Sequence, residues 1–216
     1  MVAQIKIDFV SDVSCPWCAV GLASLERALD RLEGEVQAEI HFQPFELNPD
    51  MPPEGQNTVE RLAHKYAMTP EQVRSNGQAI TARGREVGFT FNMDKRERTY
   101  NTFDAHRLLH WAGLEGYQLE LKHALLKAYF TDGENPSAHD VLIRLCQEAG
   151  LDAQRAREIL DSDEYASDVR ERERFHAEQG INSVPTIIMN DQYLIQGGQP
   201  PDAFEHVLRR VAELME

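Results

Sequence analysis

Two cysteines stand three residues apart at Cys15-Pro16-Trp17-Cys18. A pair at this spacing, placed where an alternating apolar stretch gives way to a helical one, has the chemistry of dithiol–disulfide exchange. At a helix start, residues three apart share a face and come close enough to form a disulfide. Cys15 falls at the helix N-terminus, where unpaired backbone N–H groups and the positive end of the helix dipole favour a thiolate. The thiolate is the attacking species, so Cys15 is expected to be the nucleophile. Cys18, one turn in and more buried, is expected to resolve the mixed disulfide. Pro16 suits the first helical position and fixes the backbone. Trp17 beside it is expected to keep both thiols near the surface.

Zinc is the competing chemistry for a close cysteine pair. A structural site needs four ligands, commonly a second cysteine pair or two histidines at suitable spacing. Cys146 is a single distant thiol, and no partner pair is evident. His106 and His110 lie one helical turn apart, but a third ligand is missing. No metal is therefore expected. Cys146 shares a helical face with Val141, Leu142, Leu145 and Ala149, which reads as a buried structural thiol.

The elements that position the pair follow from hydrophobic periodicity. Ile5, Ile7 and Phe9 alternate with Lys6 and Asp8, predicting a strand over 5–10. Leu22, Leu25, Ala28, Leu29 and Leu32 recur at helical spacing, with Gly34 as the C-terminal cap. Val36, Ala38, Ile40 and Phe42 alternate again. This is a β-α-β unit, for which parallel strands and a right-handed crossover are the rule.

A loop rich in Pro and Gly follows, and helical patterns then run from Thr58 to Gln179. Strand character resumes over 184–189 and 192–195 around an Asn190-Asp191 turn. Phe204, Val207, Leu208, Val211 and Leu214 mark a last helix. Two-stranded pieces are marginal alone, so the two ends are expected to share one sheet. The predicted class is α/β, a thioredoxin-like fold with a large all-helical insertion. Residues 1–55 and 180–216 would form the discontinuous thioredoxin-like domain and 56–179 the insertion. Val184-Pro185 heads the strand after the insertion, where proline is tolerated.

Composition limits the partners. The 216 residues carry 36 Asp plus Glu against 22 Lys plus Arg, a net charge of −14. Such a chain repels phosphate backbones and anionic lipid, so neither nucleic acid nor a membrane surface is expected as a partner. No stretch approaches the ~18 apolar residues of a membrane helix. The first residues read as a strand rather than a secretion signal, so the expected compartment is the cytoplasm. In a reducing compartment, a close cysteine pair reads as catalytic rather than structural.

Several segments together resemble a known family. Cys15-Pro16-Trp17-Cys18 after Asp8-Phe9, then Val184-Pro185-Thr186, with a helical insert between them, are similar to the DsbA family. Phe45-Glu46-Leu47-Asn48-Pro49, Asn101-Thr102 with Ala105-His106-Arg107, and Ala128-Tyr129-Phe130 resemble its FrnE-like cytoplasmic branch. The resemblance implies disulfide oxidoreductase or isomerase activity. It implies a cis Pro185 facing the cysteines, and a Val184 backbone that pairs with the substrate segment by strand addition. It also suggests Asn101 and His106 as residues of the substrate groove. Trp17 stands where periplasmic DsbA has histidine, and Trp cannot stabilise a thiolate by charge. The disulfide is therefore expected to be less oxidising than DsbA's.

Substrates would be protein thiols and disulfides or small-molecule thiols. No bound cofactor is needed, since the electrons reside on the two sulfurs. A redox partner is needed for turnover, with glutathione one candidate. Glutathione transferases of the kappa type and 2-hydroxychromene-2-carboxylate isomerases resemble this architecture but typically use a serine. A non-enzymatic binder using the groove near Pro185 is the third alternative. Oligomeric state is not legible.

Overall fold

The computed structural model describes residues 2–215. β1 (Ala3–Ser11), α1 (Pro16–Arg31) and β2 (Val36–Pro44) form the expected β-α-β unit, with β1 and β2 parallel in the register Phe9 opposite Phe42. The chain returns to the same sheet with β5 (Thr186–Met189) and β6 (Tyr193–Gln196), then ends in α9 (Pro201–Glu213). Sheet order is β2-β1-β5-β6, with β5 antiparallel to both β1 and β6. Asn190 and Asp191 both adopt positive φ, 51° and 57°, as a tight hairpin with two left-handed central residues requires. This is the thioredoxin-like α/β arrangement.

Ile5, Ile7 and Phe9 enter one core with Leu22 and Leu25 of α1, Ile187 of β5, and Phe204 and Leu208 of α9. Phe9 and Phe42 meet with ring centroids 5.6 Å apart, tilted by 53°. Strict alternation fails at the end of β1, where Asp8, Val10 and Ser11 are also buried. That end of the strand is covered on both faces, and it is the end that leads into the cysteines.

Between the two halves lie α2 (Thr58–Tyr66), α3 (Pro70–Val87), α4 (Phe103–Glu115), α5 (Gln118–Lys127), α6 (His139–Glu148), α7 (Ala153–Leu160) and α8 (Ala166–Glu178). Three of them, α2, α3 and α7, start on side-chain caps. Thr69 and Gln72 form a reciprocal capping box on α3, and Asp152 accepts from Arg155 N at the head of α7. Gly84 lies inside α3 rather than at its end, because a Cβ there would stand 2.4 Å from the Phe91 ring. A π-helical turn, Ala128–Asp132, continues α5.

Two expectations need correction. The insertion is not all-helical: β3 (Gln56–Asn57) and β4 (Arg98–Thr99) form a two-stranded antiparallel ribbon. Strands of two residues have no period to read. Gly34 is not the cap of α1 either. The helix closes at Leu32, and Gly34 takes its positive φ of 83° in the turn leading to β2.

Helices α4 to α7 enclose a second core around Leu108, Leu121, Leu125, Leu142 and Cys146. Val13, from the loop before the cysteines, is part of it. Arg107 organises one side. Buried on α4, it donates Nε to Glu164 O at 2.9 Å and Nη2 to Ile159 O and Ser162 O, while Nη1 meets Asp104 at 2.8 Å. It thereby satisfies carbonyls at the C-terminus of α7. Arg107→Met should remove this donor from all three carbonyls and leave Asp104 without its arginine, at a cost of about 3 kcal/mol. In a thermal melt this would lower Tm by roughly 6–12 °C for a chain of this size. An unchanged Tm would contradict this role.

Candidate active site

β1 delivers the chain into Asp12-Val13-Ser14, a short buried crossing whose shape Asp12 sets. The Asp12 carboxylate accepts from Ser14 N at 3.1 Å, Ser14 Oγ at 2.9 Å and Leu47 N at 2.7 Å. Its own carbonyl accepts from Cys15 N at 3.2 Å. Cys15 is then the N-cap of α1, in extended geometry (φ −92°, ψ 111°), with Pro16 as the first helical residue. No side chain caps this helix and its first turn holds no acid, so the positive end of the dipole is left for the thiol.

Cys15 is only 4% exposed and Cys18 fully buried, while Trp17 is 39% exposed. The expectation that both thiols sit near the surface is thus corrected. Trp17 is the exposed member of the motif, and both cysteines are buried. All three cysteines are unbridged. Cys15 Sγ–H donates to Val184 O at 3.7 Å, and the Val184-Pro185 peptide is cis. Pro185 packs where α1 has Gly21, whose Cβ would lie 3.2 Å from Pro185 Cγ. Cys15 therefore meets Val184, with Pro185 beside α1 at Gly21.

Beneath the cysteines lies a buried ionisable group from each half of the fold. Burial by itself raises the Asp12 carboxyl. His106, at 3.6 Å, and the Leu47 and Ser14 N–H groups oppose it and hold the carboxyl at about 2. Lys122, on α5, is wholly buried, with its Nζ 5.3 Å from the Phe42 ring centroid and no hydrogen-bond partner among the described residues. Burial lowers its pKa, while the charges of Cys18, Asp12 and Cys15 hold it up. Burial pushes the Cys18 thiol well up, its interaction with Cys15 adds to this, and Lys122 opposes both. Sequence reasoning passed over Asp12 and Lys122. Their only signal is a charge within an apolar register, beside Val10 and Val13 or beside Leu121, Leu125 and Leu126.

Two groove candidates take other places. His106 is buried on α4, and its Nε2 meets Phe45 O at 3.1 Å. A carbonyl can only accept, so Nε2 carries the proton. Asn101 donates Nδ2 to Glu46 Oε2 at 3.3 Å and to Pro49 O at 3.2 Å, and its Oδ1 accepts from Phe103 N at the start of α4. Both residues tie the 45–49 loop to the insertion. Cys146 lies in the second core, its thiol pushed up to about 12 by burial alone. No group of three or more His, Cys, Asp or Glu side chains among the described residues is arranged to hold a metal ion.

Comparison with known proteins decides the family. The model of the DSBA-like thioredoxin domain matches residues 6–209. The chain belongs to the DsbA-like family. Among solved structures, this DsbA-like chain is similar to a probable DsbA oxidoreductase, SCO1869 from Streptomyces coelicolor. That match has 31% identity and a TM-score of 0.89, covering 98% of this chain and 91% of the other. A 2-hydroxychromene-2-carboxylate isomerase shares the fold at 14% identity and TM-score 0.70, covering 97% of each chain. So does the cytosolic disulfide reductase DsbM from Pseudomonas aeruginosa, solved with GSH, at 17% identity and TM-score 0.65, covering 96% of this chain and 99% of the other.

In this DsbA-like protein the loop after β6 closes against the cysteine turn. A Cβ on Gly198 would stand 2.9 Å from the Trp17 carbonyl oxygen and 3.2 Å from its ring. Backbone must shift to admit it. Gly198→Ala should cost about 1–3 kcal/mol in a urea melt and slow thiol exchange through displacement of Trp17. A variant with wild-type melting and turnover would remove this packing from the account.

Proposed function

We propose that this DsbA-like oxidoreductase exchanges a Cys15–Cys18 disulfide with protein or small-molecule thiols. The observation that carries this is the placement of Cys15 Sγ at an uncapped helix N-terminus against the Val184 carbonyl, with Cys18 buried one turn behind. In the reducing direction, the Cys15 thiolate attacks one sulfur of a substrate disulfide. That S–S bond breaks, a mixed disulfide forms, and the departing sulfur takes a proton. Cys18 then loses its proton and attacks Cys15 Sγ, releasing the second substrate thiol and leaving the Cys15–Cys18 disulfide. Two electrons pass from the dithiol to the substrate, and the reverse sequence oxidises a substrate dithiol.

Strand addition of the substrate segment along Val184 supplies the binding mode, with Pro16, Trp17 and Pro185 shaping its surroundings. No bound cofactor enters the cycle. Glutathione is the proposed redox partner and the cytoplasm the proposed compartment, within the FrnE-like branch. DsbM, described as cytosolic and solved with GSH, supports both by analogy. No helix among the described residues is long and apolar enough to cross a membrane.

Equilibration with glutathione buffers, alongside insulin reduction, tests this reading. A reversible two-electron transition is expected, at a potential more negative than DsbA's value of about −120 mV, because Trp17 brings no charge to the thiolate. A potential at or above that value would show that Trp17 does not set it. Absence of any disulfide and of insulin turnover would end the redox reading.

A further inference from the structure

A cavity of about 180 Å³ lies between β2, α4, α5 and α8, apart from the Cys15–Pro185 face. Its walls carry His41, His106, His110, Lys122 and Arg172, yet none of the described residues lining it is Asp or Glu. One residue in six of this chain is acidic, 36 of 216. A lining without a carboxylate and with five basic side chains stands against that background.

The fixed charges come from two of the five. Lys122 Nζ is wholly buried and has no hydrogen-bond partner among the described residues. Arg172 has no ion pair among the described residues, whereas Arg170 on the same helix is engaged by Glu46 and Glu173. His41 meets Glu39 at 3.2 Å on the rim. The basic side chains are not arranged for a metal ion. Phe42, Leu109 and Leu114 supply apolar wall. Gln118 holds the walls in register, since its side chain bonds both Phe42 N (2.8 Å) and Phe42 O (3.1 Å) on β2 and Leu109 O (3.0 Å) on α4.

We infer that this cavity is a binding site for a small anion, a phosphate or carboxylate group held by Arg172 against a wall that the buried Lys122 makes positive from behind. A buried ammonium without a partner is costly, and an anion is the ligand that relieves that cost. The site also bears on the redox chemistry, and this part rests on the oxidoreductase reading. Lys122 Nζ lies 5.3 Å from the ring centroid of Phe42, which shares one core with Cys15 and Cys18, and its charge acts on both thiols. An anion in the cavity offsets a charge that favours the thiolate. By reciprocity, the anion binds the oxidised protein more tightly than the thiolate form.

Calorimetric titration of the full chain tests this, with inorganic phosphate in one arm and succinate in the other. Oxidised and dithiothreitol-reduced protein are compared. Saturable binding is expected, several-fold tighter to the oxidised form, and the tighter of the two probes identifies the group recognised. Arg172→Ala, an exposed change that should leave insulin turnover in anion-free buffer intact, should weaken binding about tenfold. Lys122→Met should abolish it, with circular dichroism confirming the fold. If neither anion saturates below about 10 mM, or if both variants bind as wild type does, the site is refuted. Equal affinity for the two redox forms would refute the coupling alone. Because binding is read without thiol exchange, a failure of the oxidoreductase reading leaves this test unaffected.

Discussion

Replacing Cys15 with serine should lower insulin reduction by at least about a thousandfold, the scale on which enzymes lose activity when a nucleophile is removed. A serine hydroxyl at the same N-cap can accept hydrogen bonds, but it cannot form the mixed disulfide through which both electrons pass. Cys18→Ser should behave differently. Cys15 would still attack, and with no resolving thiol behind it the variant should accumulate as a mixed disulfide, visible as an added mass that dithiothreitol removes. The asymmetry follows from position: Cys15 faces the Val184 carbonyl, while Cys18 is fully buried one turn behind. Cys146→Ala should leave turnover unchanged, since that thiol lies in the second core. The pair of variants also separates enzyme classes. Glutathione conjugation that survives Cys15→Ser would favour the transferase or isomerase chemistry of serine-using relatives. A binding function that survives loss of both cysteines would favour a non-enzymatic module.

The parts of this molecule that repeat a period could be read from its residues. Ile5, Ile7 and Phe9 alternate because β1 is central, and Phe204, Leu208 and Val211 recur because α9 lays one face on the sheet. The cysteine pair announced itself because its spacing has few other uses. The ribbon of β3 and β4 did not, since Gln56-Asn57 and Arg98-Thr99 are polar pairs too short to show a period. His106 was visible as a histidine one turn from another and, through the family resemblance, as a groove candidate. Its role depends on a contact with Asp12, 94 positions earlier in the chain, and no local pattern encodes such a distance. Lys122 was hidden for the opposite reason. A lysine on a helix is normally a solvated side chain, and only the packing of α5 over Phe42 buries it. The insertion thus does more than cover the thioredoxin-like half. It supplies two of the three ionisable side chains packed beneath the thiols, and it anchors the cysteine loop through Val13.

Asp12→Asn is the strongest test of that shared construction. The carboxylate accepts from Ser14 N at one oxygen and from Leu47 N and Ser14 Oγ at the other, and His106 Nε2 stands 3.6 Å from the first. An asparagine must turn its NH2 toward one of these donor pairs, leaving donors facing a donor in a fully buried site. The expected cost near neutral pH is about 3 kcal/mol in a urea melt. Its pH dependence has a definite sign. The native carboxyl is held at about 2 against an ordinary 3.8, so the folded state favours the ionised form. That contribution is fully present above the unfolded value and is lost as pH falls through the native one. A depression of this size corresponds to about 2 kcal/mol. The stability gap between wild type and Asp12→Asn should therefore narrow by about that amount between pH 5 and pH 2. A gap independent of pH would mean that the carboxylate is held by shape alone, and that His106 does not favour its charge. A gap that narrows as expected would show the insertion's histidine stabilising the loop that presents Cys15, so that loosening α4 would reach the nucleophile without touching it.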